Sequence, residues 1–304
     1  MTKQFHNYTL PKRGLYSKKR SKPTNLYRKI RRKLSRTALR YPVIWLRHHG
    51  FRPADIFLGS YPRSGTTWSR FVLLEILTGH EGGFDEVNGI LHGVGNQWTG
   101  ARILPGEGRL IATHEQYWKH YHKALYLVRD VRDVILSEFA YTTDLEFFNG
   151  NLDQFIETFL CSKINPFGPW QKHVSSWLDS PIGGTENLLV VRYDQLRKNP
   201  VEGFTRIAKF LGVNHDQALI QRAIEHNTLD KMKEKERKAP QRVSVKGNFV
   251  RSGSVQGWRA KLTPEQIRFI EQHAGSVLQR IGFPLSTEIV ENEPALQTSG
   301  SVGV

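Results

Sequence analysis

The sequence is nearly without cysteine and has no long apolar run. Cys161 is the single cysteine among 304 residues, so neither an internal disulfide nor a zinc site built from cysteines can hold the fold, which needs a hydrophobic core instead. Apolar runs such as 188–191 fall far short of the roughly twenty residues of a membrane-spanning helix. The first residues also lack the apolar stretch of a secretory signal. We therefore expect a cytoplasmic protein.

Acidic residues are missing from the first part of the chain. Lys plus Arg number 44 against 28 Asp plus Glu, a formal net charge of +16. Positions 1–54 contain sixteen of the basic residues and no acidic one, which leaves 28 of each sign in the rest. The charge distribution therefore predicts a balanced globular body preceded by a separate basic element.

We predict that this basic N-terminal extension covers residues 1–50. Its polar start, interrupted by Pro11, Gly14 and Pro23, predicts disorder. Apolar residues at every third or fourth position then predict an amphipathic helix near 25–41, ending before Pro42. Such an element can lie on an anionic membrane surface, contact nucleic-acid phosphates, serve as an organelle transit peptide or pack on the body. These alternatives stay open at this point.

Apolar segments and helical segments alternate along the body. The strand predicted at 55–60 precedes a helix at 66–78, the strand at 124–128 precedes a helix at 131–141, and the strand at 188–192 precedes a helix at 200–211 that Gly212 caps. Continuous apolar strands that alternate with helices predict one α/β domain, with a central parallel sheet flanked by helices. We place this domain at 51–285 and a C-terminal tail at 286–304.

The segment after the first predicted strand, Gly-Ser-Tyr-Pro-Arg-Ser-Gly-Thr-Thr-Trp at 59–68, has the features of a phosphate-binding loop. The free N–H groups and the dipole of the following helix attract an anion, and Gly65 allows close approach of the backbone. Arg63 can add a charge-assisted hydrogen bond, and hydroxyls are present at Ser64, Thr66 and Thr67. Five residues separate the glycines and Thr66 replaces the lysine of a Walker loop, which argues against ATP chemistry.

Residues 61–68 resemble the signature of sulfotransferases that use 3′-phosphoadenosine 5′-phosphosulfate (PAPS). Further resemblances follow in the family's order at 125–137, 190–194 and 249–258, with a weaker one at 225–229, where Leu229 replaces the usual phenylalanine. Together they extend over roughly 51–283. The resemblance implies a cytosolic-type sulfotransferase domain with a P-loop-like fold.

The resemblance also implies a PAPS site that needs no metal. The first loop would hold the 5′-phosphosulfate, and Arg129 with Ser137 the 3′-phosphate; Arg129 in an ion pair with Asp130 or Asp133 is the alternative. Ser252 stands where many cytosolic members have lysine, which puts that part of the phosphate clamp in doubt. The donor-site residues implied are Arg63, Ser64, Gly65, Thr66, Thr67, Trp68, Arg129, Ser137, Tyr193, Thr228, Leu229, Arg251, Ser252 and Gly253.

His114 is the candidate catalytic base. It follows a short apolar segment between the two donor elements, where the family places its catalytic histidine, although Ala112 replaces the family's lysine. A neutral imidazole can accept the proton of a hydroxyl, and Arg63 can stabilise charge on the leaving group. The alternative for His114 is a structural role at the strand end, with Glu115 or Glu86 as the base.

These observations predict a PAPS-dependent sulfotransferase that acts on a hydroxyl of a small molecule, lipid or glycolipid. The loops at 79–108 and 141–169 are expected to shape the acceptor pocket. The alternatives are a P-loop-type kinase, or a non-enzymatic membrane or nucleic-acid binding protein that acts through the basic N-terminus. We favour an anionic membrane surface, and disfavour nucleic acid, as the partner of residues 1–52, which predicts peripheral membrane association.

Overall fold

A computed structural model describes residues 37, 40–161, 164–213, 216–239 and 250–286. Four strands form its sheet: β1 (Ile56–Ser60), β2 (Leu110–Thr113), β3 (Ala124–Val128) and β4 (Leu188–Arg192). Their spatial order is β2-β1-β3-β4, and every neighbouring pair is parallel. The predicted α/β architecture is thereby confirmed.

Helices surround the sheet; among the described residues five lie in the connections between strands, one precedes β1 and five follow β4. In chain order, the α-helices of the described residues are α1 (Arg40–Arg47), α2 (Thr66–Thr78), α3 (Phe84–Ile90), α4 (Val131–Asp144), α5 (Leu152–Cys161), α6 (Trp170–Leu178), α7 (Tyr193–Lys198), α8 (Pro200–Leu211), α9 (Gln217–Glu225), α10 (Leu229–Lys238) and α11 (Pro264–Arg280). The prediction of 131–141 therefore ended this helix three residues too early. No glycine or proline directly follows Tyr141 to mark the helix end in the sequence.

The strands are apolar throughout because helices cover both faces of the sheet. Every residue of β1 and β3 is buried. One cluster of core residues joins the sheet to α4, α5, α6 and α11. A second cluster joins the opposite face to α2, α3, α8 and α9. This burial on both faces explains why these strands lack the alternation of polar and apolar residues found in half-exposed sheets.

The parallel sheet brings the predicted site residues together at the carboxyl ends of its strands. The carboxyl ends of parallel strands point the same way, and ligands of open α/β sheets bind beyond them. β1 ends at Ser60, immediately before the phosphate-binding loop, and β2 ends next to His114. β3 is followed by Arg129, and β4 by Tyr193. One end of the sheet therefore positions all four segments.

A short helix precedes β1 in the described region. The helix predicted near 25–41 falls almost wholly outside the described residues, whereas α1 runs from Arg40 to Arg47. Pro42 lies in its first turn, where the missing N–H breaks no helical hydrogen bond. Ile44 on α1 is buried, and His48 Nε2 lies 2.7 Å from the hydroxyl of Tyr121. The extension at 1–50 and the tail at 286–304 stay predictions.

A buried ion pair fixes the start of the sheet. Asp55, just before β1, accepts hydrogen bonds from the Arg109 backbone N at 3.0 Å, Nε at 3.0 Å and Nη2 at 2.5 Å. Arg109 also donates to the carbonyl oxygens of Gln97 and Gly50, at 2.7 and 2.8 Å. The two ionic side chains are almost fully buried. They therefore anchor the amino ends of β1 and β2 to each other and to the preceding loop.

We expect Asp55→Ala to lower the free energy of unfolding by about 3–5 kcal/mol, because it leaves the buried Arg109 charge without its partner. Urea denaturation followed by circular dichroism measures this change. The matched control is Glu107→Ala, which removes an exposed partner of Arg52 and Arg102 and should cost less than about 1 kcal/mol. Equal losses for the two variants would contradict the anchoring role.

Candidate functional site

The loop between β1 and α2 depends on a close backbone approach at Gly65. Gly65 is the N-cap of α2 and has φ +92°, in the left-handed region that favours glycine. A Cβ at this position would lie 2.3 Å from Cδ2 of Tyr193. The loop consequently packs directly on the aromatic ring that follows β4, while the first N–H groups of α2 remain available to an anion.

Arg63 in this loop is held against α4. Its Nε donates to Ser137 Oγ at 3.0 Å, and its guanidinium carbon lies 4.8 Å from the centre of the Tyr141 ring. Burial lowers the pKa of Arg63, and the charge of Glu138, the next residue of α4, raises it again. The helix therefore supplies a hydroxyl, an aromatic face and a negative charge to a buried cation.

Arg129 links three segments around the same space. Its Nη1 donates to the Arg63 carbonyl oxygen at 2.9 Å, and its Nη2 to the Ser254 carbonyl oxygen at 2.8 Å. Its guanidinium carbon lies 5.1 Å from the centre of the Tyr193 ring. Asp133 is 3.9 Å away, at the outer limit of an ion pair. Arg129 therefore donates hydrogen bonds to two carbonyl oxygens, in addition to its long contact with Asp133. An ion pair with that carboxylate was the alternative role for Arg129.

The segment at 251–254 closes one side of this space. Arg251 pairs with Asp144 at the end of α4. Gly253 has φ +56°, and its carbonyl oxygen accepts a hydrogen bond from the Tyr193 hydroxyl at 3.3 Å. Ser252 is exposed, and its Oγ lies 3.2 Å from Ser254 Oγ.

Aromatic and apolar side chains form another part of the wall of this space. Trp68 Nε1 donates to the Asn227 carbonyl oxygen at 2.9 Å, and the Arg197 guanidinium carbon lies 5.0 Å from the centre of the Trp68 ring. The Trp68 ring meets Tyr193 edge to face, with ring centres 6.3 Å apart. Sequence reasoning missed Arg197, although its position four residues after Tyr193 on a helix places both on one face.

His114 lies at the other end of the cleft, and one of its two ring nitrogens is engaged in a hydrogen bond. Its Nδ1 is 2.9 Å from the Ser60 carbonyl oxygen, which can only accept, so Nδ1 carries the proton and Nε2 the lone pair. Phe167 packs against the ring edge to face, with ring centres 5.8 Å apart. Burial lowers the pKa of His114, and the charges of Arg70 and Arg63 lower it further. The geometry gives a neutral imidazole with a basic Nε2.

The two alternative carboxylate bases lie elsewhere. Glu115 forms an ion pair with Arg40. Glu86 accepts a hydrogen bond from the Gly83 backbone N at 3.0 Å and caps the exposed start of α3. Neither residue lines the cleft, whereas the buried Glu138 does. Sequence reasoning missed Glu138, although it directly follows Ser137 on α4.

Together these segments enclose a cleft of about 350 Å³. The predicted site residues that line it are Arg63, Gly65, Thr66, Thr67, Trp68, His114, Arg129, Ser137, Tyr193, Leu229, Arg251 and Gly253. Three predicted residues do not line it: Ser64, Thr228 and Ser252. Thr228 is exposed at the start of α10, and Ser64 is buried beneath the loop.

Of the two loops that were predicted to shape the acceptor pocket, one lines the cleft. Tyr141, Asn165, Pro166 and Phe167 of the 141–169 region line the cleft, and no residue of the 79–108 loop does.

The donor atoms around the cleft suit a polyanion. Within the described part of the chain, Arg129 Nε and Arg251 Nε, on two residues that line the cleft, are buried without a hydrogen-bond partner. Buried donors of this kind are costly unless a ligand accepts their hydrogen bonds. Arginines, a helix N-terminus and aromatic surfaces together suit a ligand with phosphate groups and a flat ring. Fold and site thus define an α/β enzyme class that binds an anionic nucleotide beside a neutral histidine.

The chain belongs to the sulfotransferase domain family, whose model matches residues 106–282. Sulfotransferase 1B1 of Mus musculus is 26% identical over 261 residues, which cover 74% of this chain and 86% of that protein. Sulfotransferase 2B1 of Homo sapiens is 29% identical over 197 residues, 60% of this chain and 53% of that protein. Family membership argues against both the kinase and the purely non-enzymatic interpretation.

Solved structures share the fold. Mouse sulfotransferase SULT7A1, complexed with PAP, superposes with a TM-score of 0.62 at 25% identity, covering 77% of this chain and 87% of its own. Retinol dehydratase, in complex with androsterone and the inactive cofactor PAP, gives a TM-score of 0.60 at 24% identity, covering 78% of this chain and 84% of its own. The similarity to retinol dehydratase is evidence for a shared fold only.

The lowered pKa of His114 gives a spectroscopic prediction. Because burial disfavours the imidazolium, we expect more than half of His114 to be neutral at pH 6.5, the usual pKa of histidine, with the proton of the neutral ring on Nδ1. Nitrogen-15 NMR of the imidazole distinguishes the tautomers, and His114→Asn assigns the signal. A ring that is half-protonated at this pH or above, or a proton on Nε2, would count against the arrangement.

Proposed function

We propose that this protein transfers a sulfuryl group from PAPS to a hydroxyl, with His114 as the general base. The observation that supports this function best is the cleft itself. It brings the loop at Gly65, Arg129 after β3 and the segment at Arg251 around one space, with His114 at its end. The PAP bound to the similar mouse sulfotransferase supports the choice of donor.

The residues divide between the two ends of the donor. The first N–H groups of α2 and Arg63 bind the 5′-phosphosulfate, where the helix dipole favours negative charge. Arg129, Ser137 and Arg251 bind the 3′-phosphate through charge-assisted and hydroxyl hydrogen bonds. The adenine lies against the apolar wall, which consists of Trp68, Tyr193 and Leu229.

The transfer step needs a proton acceptor and a stabilised leaving group. The acceptor oxygen attacks sulfur and its proton passes to His114 Nε2, while the bond from sulfur to the 5′-phosphate oxygen breaks with its electron pair. Arg63 and the N–H groups of the loop stabilise the charge that grows on that oxygen. Arg63 suits this role because α4 holds it in a fixed position before reaction.

The acceptor has a hydroxyl on a largely apolar body, as in a small apolar molecule, lipid or glycolipid. Tyr141, Pro166 and Phe167 supply apolar surface near His114, and Asn165 adds one polar group. Among the described residues, no helix is both long and apolar enough to cross a membrane. The basic residues within 1–52 favour peripheral association of a cytoplasmic protein with an anionic membrane.

The donor assignment predicts a loss of affinity in Arg129→Ala. Removal of a charged hydrogen-bonding partner costs about 1.5–3 kcal/mol, so the Kd for PAP should rise about 10- to 100-fold by isothermal titration calorimetry. The control is Arg268→Ala, an exposed arginine on α11 that pairs with Glu265, and it should leave the Kd unchanged. Unaltered affinity in Arg129→Ala would rule out its phosphate-binding role.

The catalytic assignment predicts a different pattern for His114→Asn. Loss of the base should lower kcat by about 10²- to 10⁴-fold and leave the Kd for PAP nearly unchanged. His273→Asn on α11 is the control, since that ring bonds only within its own helix in the described residues. Wild-type kcat in His114→Asn would refute the assignment, and a similar loss in Glu138→Gln instead would transfer the role to the buried carboxylate.

A further inference from the structure

The solvent-facing side of α1 is apolar and carries no charge. Tyr41, Val43, Trp45 and Leu46 are between 54% and 63% exposed. The two charged residues of this helix turn toward the body: Arg40 pairs with Glu115, and Arg47 donates to the Val94 carbonyl oxygen. This arrangement is the reverse of an ordinary surface helix, which presents its charges to water.

Trp98 extends this surface beyond the end of α1. The neighbouring Gln97 donates from its side chain to the carbonyl oxygens of Arg47 and His49, both at 2.7 Å, and so fixes the turn that carries Trp98. Trp98 is 57% exposed. We define the apolar face as Tyr41, Val43, Trp45, Leu46 and Trp98. An exposed aromatic and aliphatic cluster of this kind indicates an interaction site.

Basic groups border the apolar face. A groove of about 380 Å³ runs from Trp45 past His49 and Arg52 to His120 and His122, and no acidic residue lines it. Burial lowers the pKa of His120, and the charge of nearby Lys119 lowers it further, so this imidazole is less charged than a free one. Permanent positive charge at this border comes from Lys119 and from Arg52, which also pairs with Glu107, and no Asp or Glu occurs anywhere in residues 1–54.

The apolar face is connected to the His114 end of the cleft. Arg40, at the start of α1, donates to the Pro166 carbonyl oxygen. Its guanidinium carbon lies 5.4 Å from the centre of the Phe167 ring, which itself packs on His114. Arg40, the residue before Tyr41 of the apolar face, is thus two side-chain contacts from the proposed base.

We propose that the apolar face docks on an anionic lipid surface, with the His114 end of the cleft next to that surface. Tryptophan and tyrosine favour the interface between water and lipid, and nearby Lys and Arg are attracted to anionic headgroups. A second copy of the chain is a poorer occupant, because it would bring two basic borders together in a protein of net charge +16. The docking rests on the proposed function in two respects: it names the surface for the peripheral membrane association, and it uses the role given to His114.

The full-length protein can be tested by co-sedimentation with phosphatidylcholine vesicles, with and without phosphatidylserine. We expect binding to the phosphatidylserine vesicles that weakens with added salt. Substitution of both Trp45→Ser and Leu46→Ser should lower the partition coefficient by about tenfold or more, because less apolar area enters the lipid. The matched control is Gln217→Ser with Gln221→Ser, two exposed positions on α9, which should bind as the wild type does.

Three results would overturn the proposal. The first is no binding to phosphatidylserine vesicles. The second is an unchanged partition coefficient for the Trp45→Ser, Leu46→Ser variant. The third is a wild-type protein that does not bind vesicles but forms a dimer, which the double substitution converts to a monomer. Trp98→Ser provides a second variant if the double substitution disturbs folding, and it should also weaken binding.

PAP affinity, measured on the same samples, separates this proposal from the proposed function. A variant that binds PAP normally and has lost vesicle binding supports a docking surface distinct from the donor site. Retained PAP binding in a wild type that does not bind vesicles overturns the docking and the membrane association, and leaves the proposed sulfuryl transfer standing. Vesicle binding in a protein without PAP affinity overturns the proposed function alone.

Discussion

The candidate site depends on the direct contact between the loop that follows β1 and the aromatic ring that follows β4. Gly65 makes this contact because it has no side chain where Tyr193 packs. Tyr193 in turn lies beside Arg129 and bonds the Gly253 carbonyl oxygen. Loop, strand end and closing segment therefore meet around a single ring. A protein that encloses a small nucleotide needs such close packing, because each phosphate must reach several donors at once.

Burial has opposite consequences for the two groups proposed to take part in the chemistry. It keeps the imidazole of His114 neutral, as a proton acceptor must be. Arg63 must stay charged in an equally enclosed place, and α4 provides for this through Ser137, Glu138 and Tyr141. The same helix thus supports the leaving-group side while β2 presents the base. Pre-organisation of this kind lowers the cost of stabilising charge in the transition state.

The parallel sheet and the strand-end residues could be predicted from the sequence because their signals are local. Apolar strands and the positive-φ Gly65 and Gly212 mark the units in the sequence itself. The part that sequence reasoning missed depends on how distant elements pack. Glu138 faces the cleft because of the orientation of α4 about its own axis. The apolar face is exposed because the arginines of α1 point toward the body. Sequence reasoning also missed α1, because it took Pro42 as the end of a helix, whereas proline is common both in a first turn and just after a helix.

The measurement that tests the central claim most directly is PAP affinity in Gly65→Ala compared with Gly79→Ala. Both glycines cap α2 with positive φ, +92° and +73°, but a Cβ at 65 collides with Tyr193 whereas a Cβ at 79 has nothing within 4 Å. Backbone strain is therefore similar in the two variants. We predict that Gly65→Ala weakens PAP binding by more than about tenfold and that Gly79→Ala does not change it. Equal affinity in the two variants would contradict it.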